Sequence, residues 1–242
     1  MNDITHGDSS VKSLLLDFFF PNRCPFCGEF ISFDRLCCEE CFSELMWADE
    51  YICRRCGKPV RPECDCKNPH IYSLCASAAY YSGAVKDGIY SLKFKNNLNS
   101  ALIFGRALRD MLEEMGVLDD IDIAVPVPMS PKQQRMRGYN QAEEIAMAIV
   151  KGTDIPVRTD LIRRRFSKTA QHDLNGEERH TAARKNYYTD IHGTPLSGMT
   201  VLLADDVLTT GATLNACSEL LTALGAECVI CAAAATTVCQ TL

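Results

Sequence analysis

No stretch of this chain approaches the roughly 18 consecutive apolar residues that cross a bilayer. The run from Leu14 to Phe20 is short, and Asp17 interrupts it. No basic leader precedes that run and no small-residue cleavage site follows it, so it does not read as an export signal. It is expected to be a helix packed on the body of the protein. An excess of positive charge is also missing. The 25 Lys and Arg stand against 31 Asp and Glu, a formal charge of −6, so the chain is not a globally basic protein. Neither G-x-G-x-x-G nor G-x-x-x-x-G-K-[ST] occurs, which removes the dinucleotide fingerprint and the P-loop as phosphate cradles.

What is present divides the chain in two. Its 242 residues suit one large domain, or one domain with a small module attached, and 47% hydrophobic residues suffice for a sizeable core. Ten of its 14 cysteines fall in the first 75 residues. They run Cys24-x-x-Cys27, Cys37-Cys38-x-x-Cys41, Cys53-x-x-Cys56, Cys64-x-Cys66 and Cys75. A C-x-x-C pair brings two thiolates onto one tight turn, the arrangement tetrahedral Zn²⁺ requires. Gly28 and Gly57 follow two of the pairs, where a knuckle needs positive φ. A disulfide framework is the alternative, but the chain carries no export signal and zinc is favoured. Eight ligands make two Cys₄ sites: Cys24, Cys27, Cys38 and Cys41 in one, Cys53, Cys56, Cys64 and Cys66 in the other. Cys37 and Cys75 are left over. Interleaved pairing, or one ion with spare thiols, stays open. A closed Cys₄ site has no free position for catalysis, so the module is expected to be structural or interactive. Residues 1–75 hold twelve acids against eight bases, which argues against a strongly DNA-binding ribbon.

Residues 76–242 read as a separate α/β domain. Strands are expected at Ala76 to Ser82, Ile121 to Val127, near Leu161 to Arg164, at Val201 to Ala204 and at Cys228 to Ala235. Helices are expected over Leu102 to Leu118, up to about Val150, and through Leu214, Cys217, Leu220, Leu221 and Leu224. Lys86 to Phe94 has a mixed pattern. Arg158 to Tyr188 is polar and basic, and is expected to end as a mobile loop. Residues 132–185 carry twelve Lys or Arg against seven Asp or Glu, which suggests a patch facing phosphates or a solvated helix face.

The segment Val201-Leu-Leu-Ala-Asp-Asp-Val-Leu-Thr-Thr-Gly-Ala-Thr213 carries the clearest chemistry. A buried parallel strand runs into Asp205 and Asp206 at its carboxyl end, where open α/β sheets bind ligands. Two carboxylates suit a vicinal diol or a hard cation such as Mg²⁺. Thr209, Thr210, Gly211, Ala212 and Thr213 offer hydroxyls and open backbone N–H groups, and the following helix points its N-terminus at the loop. Capping alone needs one such residue, not two acids and three threonines. Upstream, Pro126-Val-Pro128 precedes Arg135, Arg137, Gly138, Asn140 and Gln141. Lys168, Gln171 and Arg179 follow in the basic stretch. Guanidinium forks suit pyrophosphate oxygens, and a basic loop could close over a charged leaving group.

The 201–213 segment resembles the phosphoribosyl pyrophosphate motif of type I phosphoribosyltransferases. The chain over about residues 18–240 resembles the ComF family, the competence-associated phosphoribosyltransferase-like proteins. The resemblance rests on the paired cysteines, on Pro126 to Pro128, on the R-G-[FY]-N-Q box at Arg137 to Gln141, on Gln171 with Arg179, and on Asp205 to Thr213. It implies a mainly parallel sheet flanked by helices, with an N-terminal double zinc ribbon in a cytoplasmic protein. It further implies that Asp205 and Asp206 hold the ribose and that Thr209 to Thr213 hold the 5′-phosphate. Arg137, Lys168 and Arg179 become candidates for the pyrophosphate. The implied reaction displaces pyrophosphate at the anomeric carbon by a nitrogen nucleophile, with Mg²⁺. The acceptor is not legible, since no segment reads as a base-recognising hood. A second reading follows from the family's role in DNA uptake: a non-catalytic adaptor that binds single-stranded DNA and a partner such as a helicase, with the pocket binding a nucleotide.

Overall fold

The strand that carries Asp205 and Asp206 lies inside a parallel sheet covered on both faces. The computed structural model describes residues 21–49, 52–60, 70–165 and 183–237. In chain order these contain α1 (Glu39–Ser43), β1 (Leu74–Tyr80), α2 (Gly83–Phe94), α3 (Asn99–Glu114), β2 (Ile123–Pro126), α4 (Pro131–Arg137) and α5 (Gln141–Ile149). There follow β3 (Arg163–Arg164), β4 (Tyr187–Tyr188), β5 (Thr200–Leu208), α6 (Ala212–Ala223) and β6 (Cys228–Thr236). Four strands pair in the order β1-β6-β5-β2, all parallel. β3 and β4 form a separate antiparallel pair.

The sequence explains why both sheet faces are covered. Successive strand residues point to opposite faces. Leu202, Ala204, Ile230, Ala232 and Ala234 pack into one apolar cluster with α2, α3 and α5. Val201, Leu203, Val229, Cys231 and Ala233 pack into a second cluster with α6. A continuous apolar run therefore reads as a strand buried on both sides.

The Cys-rich segment joins the first of these clusters. Cys24, Phe26, Leu36, Cys37 and Leu45 are buried beside Ile89 and Phe104. Phe26 meets Phe104 edge-on, with ring centroids 6.3 Å apart. Gly88 on α2 makes room for it, since a Cβ there would stand 2.4 Å from Phe26 Cε1. Trp47 bridges Ala79 in antiparallel fashion, and Ala48 N–H donates to the Ala78 carbonyl at 2.8 Å. The segment thus extends the sheet beyond β1.

The structure moves several expected boundaries. The mixed pattern at Lys86 to Phe94 is part of a regular helix, α2. The helix expected over Leu102 to Leu118 starts at Asn99 and ends at Glu114. β5 does not stop at Ala204 but continues through the acids to Leu208, because β6 pairs with it up to Leu208↔Thr236. Residues 131–137, between the expected strand and the expected helix, form the helix α4. The expected helix at Leu14 to Phe20, the ligands Cys64 and Cys66, and Lys168, Gln171 and Arg179 lie outside the described residues, as does residues 166–182 of the expected mobile loop.

Candidate functional site

Cys24, Cys27, Cys38 and Cys41 bring their four sulfurs within 4.8 Å of one another. The Cys27–Cys38 and Cys38–Cys24 sulfur distances are 3.8 and 3.7 Å. Four sulfurs at ~2.3 Å from a tetrahedral Zn²⁺ stand about 3.8 Å apart, so the spacing fits that ion. The knuckle is built by backbone bonds. Cys24 N–H donates to the Glu29 carbonyl and Gly28 N–H to the Cys24 carbonyl, both at 2.9 Å, with Gly28 at φ +82°. Burial pushes the Cys24 thiol up, but N–H groups of Cys27, Cys38 and Phe26 outweigh it, so Cys24 ionises more readily than an ordinary cysteine. Burial and then the neighbouring Cys38 push Cys41 the other way. A cation is what makes four thiolates so close together favourable. Cys37 points away into the apolar core, where burial pushes its thiol up to about 12, and it is no ligand. Cys53 and Cys56 form a second knuckle with the same bonds. Cys53 N–H donates to the Lys58 carbonyl at 2.9 Å and Gly57 N–H to the Cys53 carbonyl at 2.7 Å.

At the carboxyl ends of β2 and β5 lies a cleft of about 550 Å³. Asp205, Asp206, Thr209, Thr210, Ala212 and Thr213 line one wall, and Arg137 and Gln141 stand on another. The strand pleat separates the two acids. Asp206 faces α2, where Lys93 Nζ holds its Oδ2 at 2.9 Å. Asp205 faces the other side, among Cys217, Tyr187 and Arg164. Asp206 N–H donates to Asp205 Oδ1 at 2.8 Å. Burial and then the Asp206 charge push the Asp205 carboxyl up to about 7, although Lys93 and Arg164 pull it back.

β5 ends, and the chain turns through Thr209 and Thr210 into Gly211, which begins α6. Gly211 has φ +82° and, among the described residues, no side-chain cap, so apart from Ala212 N–H the first turn of α6 keeps its N–H groups for a ligand. Thr210 Oγ1 accepts from Ala212 N–H at 3.3 Å and so braces the loop.

The arginine box is more ordered than a loop. Ser130 and Gln133 make a capping box, with Pro131 at the first helical position. Gly138 ends α4 at φ +83°. Arg137 Nη1 then donates to Gln141 Oε1 at 2.8 Å, and its guanidinium lies 4.9 Å over the Phe94 ring. Arg135 is exposed instead. Asn140 is spent on structure: its Oδ1 accepts from Ala142 N–H and its Nδ2 donates to the Val127 carbonyl. Gln141 Nε2 is buried and, among the described residues, has no acceptor at hydrogen-bond distance where the cleft begins. This donor, three cations and two carboxylates around one cleft fit a polyanionic sugar phosphate.

The double zinc ribbon domain family matches residues 15–77, and the phosphoribosyl transferase domain family matches residues 136–242. "Competence protein F" of Haemophilus influenzae is 27% identical over 78% of this chain and 80% of its own length. "Competence protein ComFC" of Bacillus subtilis is 25% identical over 78% of each. The chain joins these two domains and is similar to the competence proteins over about four-fifths of its length. "DNA utilization protein YhgH" of Escherichia coli is 24% identical over 79% of this chain and 86% of its own. Among solved structures, a purine phosphoribosyltransferase from Pyrococcus horikoshii Ot3 is 24% identical over 53% of this chain and 69% of that one, with a TM-score of 0.32 too low to argue from.

Several cleft residues lie outside the sequence motifs. Lys93, Phe94, Tyr81, Arg164 and Tyr187 all line the cleft but come from four separate stretches of sequence. Lys93 had a signal, since it flanks Phe94 in the mixed segment 86–94. Arg164 had one too: at the short β3 it sits between exposed Arg163 and Arg165, and its guanidinium lies 5.5 Å over Tyr187. Among the described residues no helix is long and apolar enough to cross a membrane.

Proposed function

We propose that this protein binds phosphoribosyl pyrophosphate with Mg²⁺ and transfers the phosphoribosyl group to a nitrogen acceptor. The observation that carries this reading is the meeting of Asp205, Asp206, the 209–213 loop and the cations Lys93, Arg137 and Arg164 around one cleft. In this reading Asp205 and Asp206 accept hydrogen bonds from the ribose hydroxyls and offer oxygen to the metal. Thr209 to Thr213 and the start of α6 take the 5′-phosphate. Arg137 serves the pyrophosphate, joined by Lys168 and Arg179. Mg²⁺ would neutralise charge on the leaving pyrophosphate. The reacting carbon gains positive character, so the protein's part is to position the ligand and stabilise the leaving charge. Reduced cysteines around structural zinc agree with a cytoplasmic setting. Cys53, Cys56, Cys64 and Cys66 would hold a second zinc.

Titration calorimetry with Mg²⁺ tests the reading. Wild type should bind phosphoribosyl pyrophosphate, and the double variant Asp205→Ala, Asp206→Ala should lose at least tenfold in affinity. Equal affinity in the double variant sinks it.

A second reading, an adaptor for single-stranded DNA, has one structural support. Arg163 on β3 and Arg165 just after it stand exposed, and Arg165 lies 4.5 Å over Tyr188. A cation beside an aromatic ring suits a phosphate backbone and its bases. Arg164 lines the cleft and must be left intact in the test. Arg163→Ala with Arg165→Ala should weaken a salt-sensitive shift of labelled single-stranded DNA. No shift with wild type at low salt counts against this reading.

A further inference from the structure

The second cysteine knuckle touches the cleft from behind. Gly57 is packed so closely that a Cβ would stand 2.6 Å from Cys75 Sγ and 2.8 Å from Leu208 Cδ2. Ser77 Oγ donates to the Gly57 carbonyl at 2.8 Å, and Cys75 N–H donates to the Arg54 carbonyl at 2.8 Å. These contacts pin the knuckle to β1 and to the last residue of β5. The next residue, Lys58, reaches across to the loop. Its Nζ donates to the Thr210 carbonyl at 2.7 Å, in a partly buried setting.

We propose that Lys58 is a positioning residue for the 5′-phosphate: by holding the Thr210 carbonyl, it fixes the Thr210–Gly211 peptide and with it the cleft-lining Thr210, Ala212 and Thr213 at the start of α6. The inference rests on the proposed binding of phosphoribosyl pyrophosphate. A trans peptide is rigid and planar, with its C=O and N–H pointing in opposite directions. Fixing the Thr210 carbonyl behind the loop therefore fixes the direction of the Gly211 N–H. Gly211 has no side chain and positive φ, so the backbone itself does little to hold that peptide in one orientation. A charged donor makes a short and strong hydrogen bond to a carbonyl. The ammonium also places positive charge behind an anion site at a helix N-terminus. Lys58 does not line the cleft, so it acts through the loop rather than on the ligand. The knuckle's backbone bonds set where Lys58 starts, which makes the ribbon a part of the binding site's support.

The test compares two fragments of the ligand. Ribose 5-phosphate occupies the loop, and Mg²⁺-pyrophosphate occupies the other end of the cleft. Calorimetry on zinc-loaded full-length protein would measure both for wild type, Lys58→Met and Lys58→Arg. Met keeps most of the aliphatic stem and removes the donor. Lys58→Met should weaken ribose 5-phosphate by roughly tenfold and leave pyrophosphate unchanged, with Lys58→Arg restoring most of the loss. Zinc content and melting temperature would be read alongside. Unchanged ribose 5-phosphate affinity in Lys58→Met overturns the proposal. An equal loss for both fragments also overturns it, since that is what general loosening gives. Failure of wild type to bind either fragment overturns the phosphoribosyl pyrophosphate reading itself, and this inference with it.

Discussion

Asp205 sits where its charge is unwelcome, beside Asp206 and partly buried at the cleft wall, with a carboxyl pushed up to about 7. Its folded value lies above its unfolded one, so ionising it costs the fold, and that cost grows as pH rises towards 7 and then levels off. Asp205→Asn removes the cost. Its melting temperature should exceed that of wild type by a margin that widens between pH 5.5 and 7 and is constant above, as calorimetry would show. Ligand binding has the opposite sense. A ribose hydroxyl or Mg²⁺ wants the carboxylate, so wild-type affinity should rise as pH passes through about 7, and Asp205→Asn should flatten that rise. Lys93 lowers the same carboxyl. Lys93→Met should therefore move the midpoint of the affinity–pH curve upward and weaken binding severalfold at pH 7. None of this could be read from the Asp205-Asp206 pair as letters. Adjacent residues in a strand face opposite ways, and only the fold shows that Asp206 pairs with Lys93 while Asp205 feels both Lys93 and Arg164.

Two helices carry the consequences at the next scale. α2 was hidden in the sequence because Lys86, Asp87 and Lys93 break up its apolar positions, yet it presents both Lys93 to the cleft and Gly88 to Phe26. Gly88→Val should overpack that contact and destabilise by about 1–3 kcal/mol. Phe26→Ala should cost about 3 kcal/mol or more by opening a cavity beside Phe104. Chemical denaturation measures both. α4 was hidden for another reason: it buries nothing, so no apolar period marks it. Its signal was local and could have been used, since Ser130-Pro131-Lys132-Gln133 is a capping box with proline in the first turn. Ser130→Ala should loosen the helix by about 1 kcal/mol and reduce phosphoribosyl pyrophosphate affinity in calorimetry, because Arg137 is held at its end.

For the whole molecule, the ribbon and the sheet share an apolar cluster, so their stabilities are linked. Removing zinc with a strong chelator should lower the melting temperature of the chain as one transition, rather than melting a small module first. A scanning calorimeter that resolved two separate peaks would contradict this. By itself the sequence determined the parallel sheet, the ordered cysteine pairs and the acid-threonine loop, because each is written in contiguous residues with a short-range period. Val201 to Ala204 must be a strand covered on both faces, and C-x-x-C-G must be a knuckle, whatever surrounds them. Tertiary structure alone decided which cations reach the cleft, that Asp205 and Asp206 part company, and that Lys58 supports Thr210 from 152 residues away. Those outcomes depend on distances between segments far apart in the chain, and local pattern carries no information about such distances.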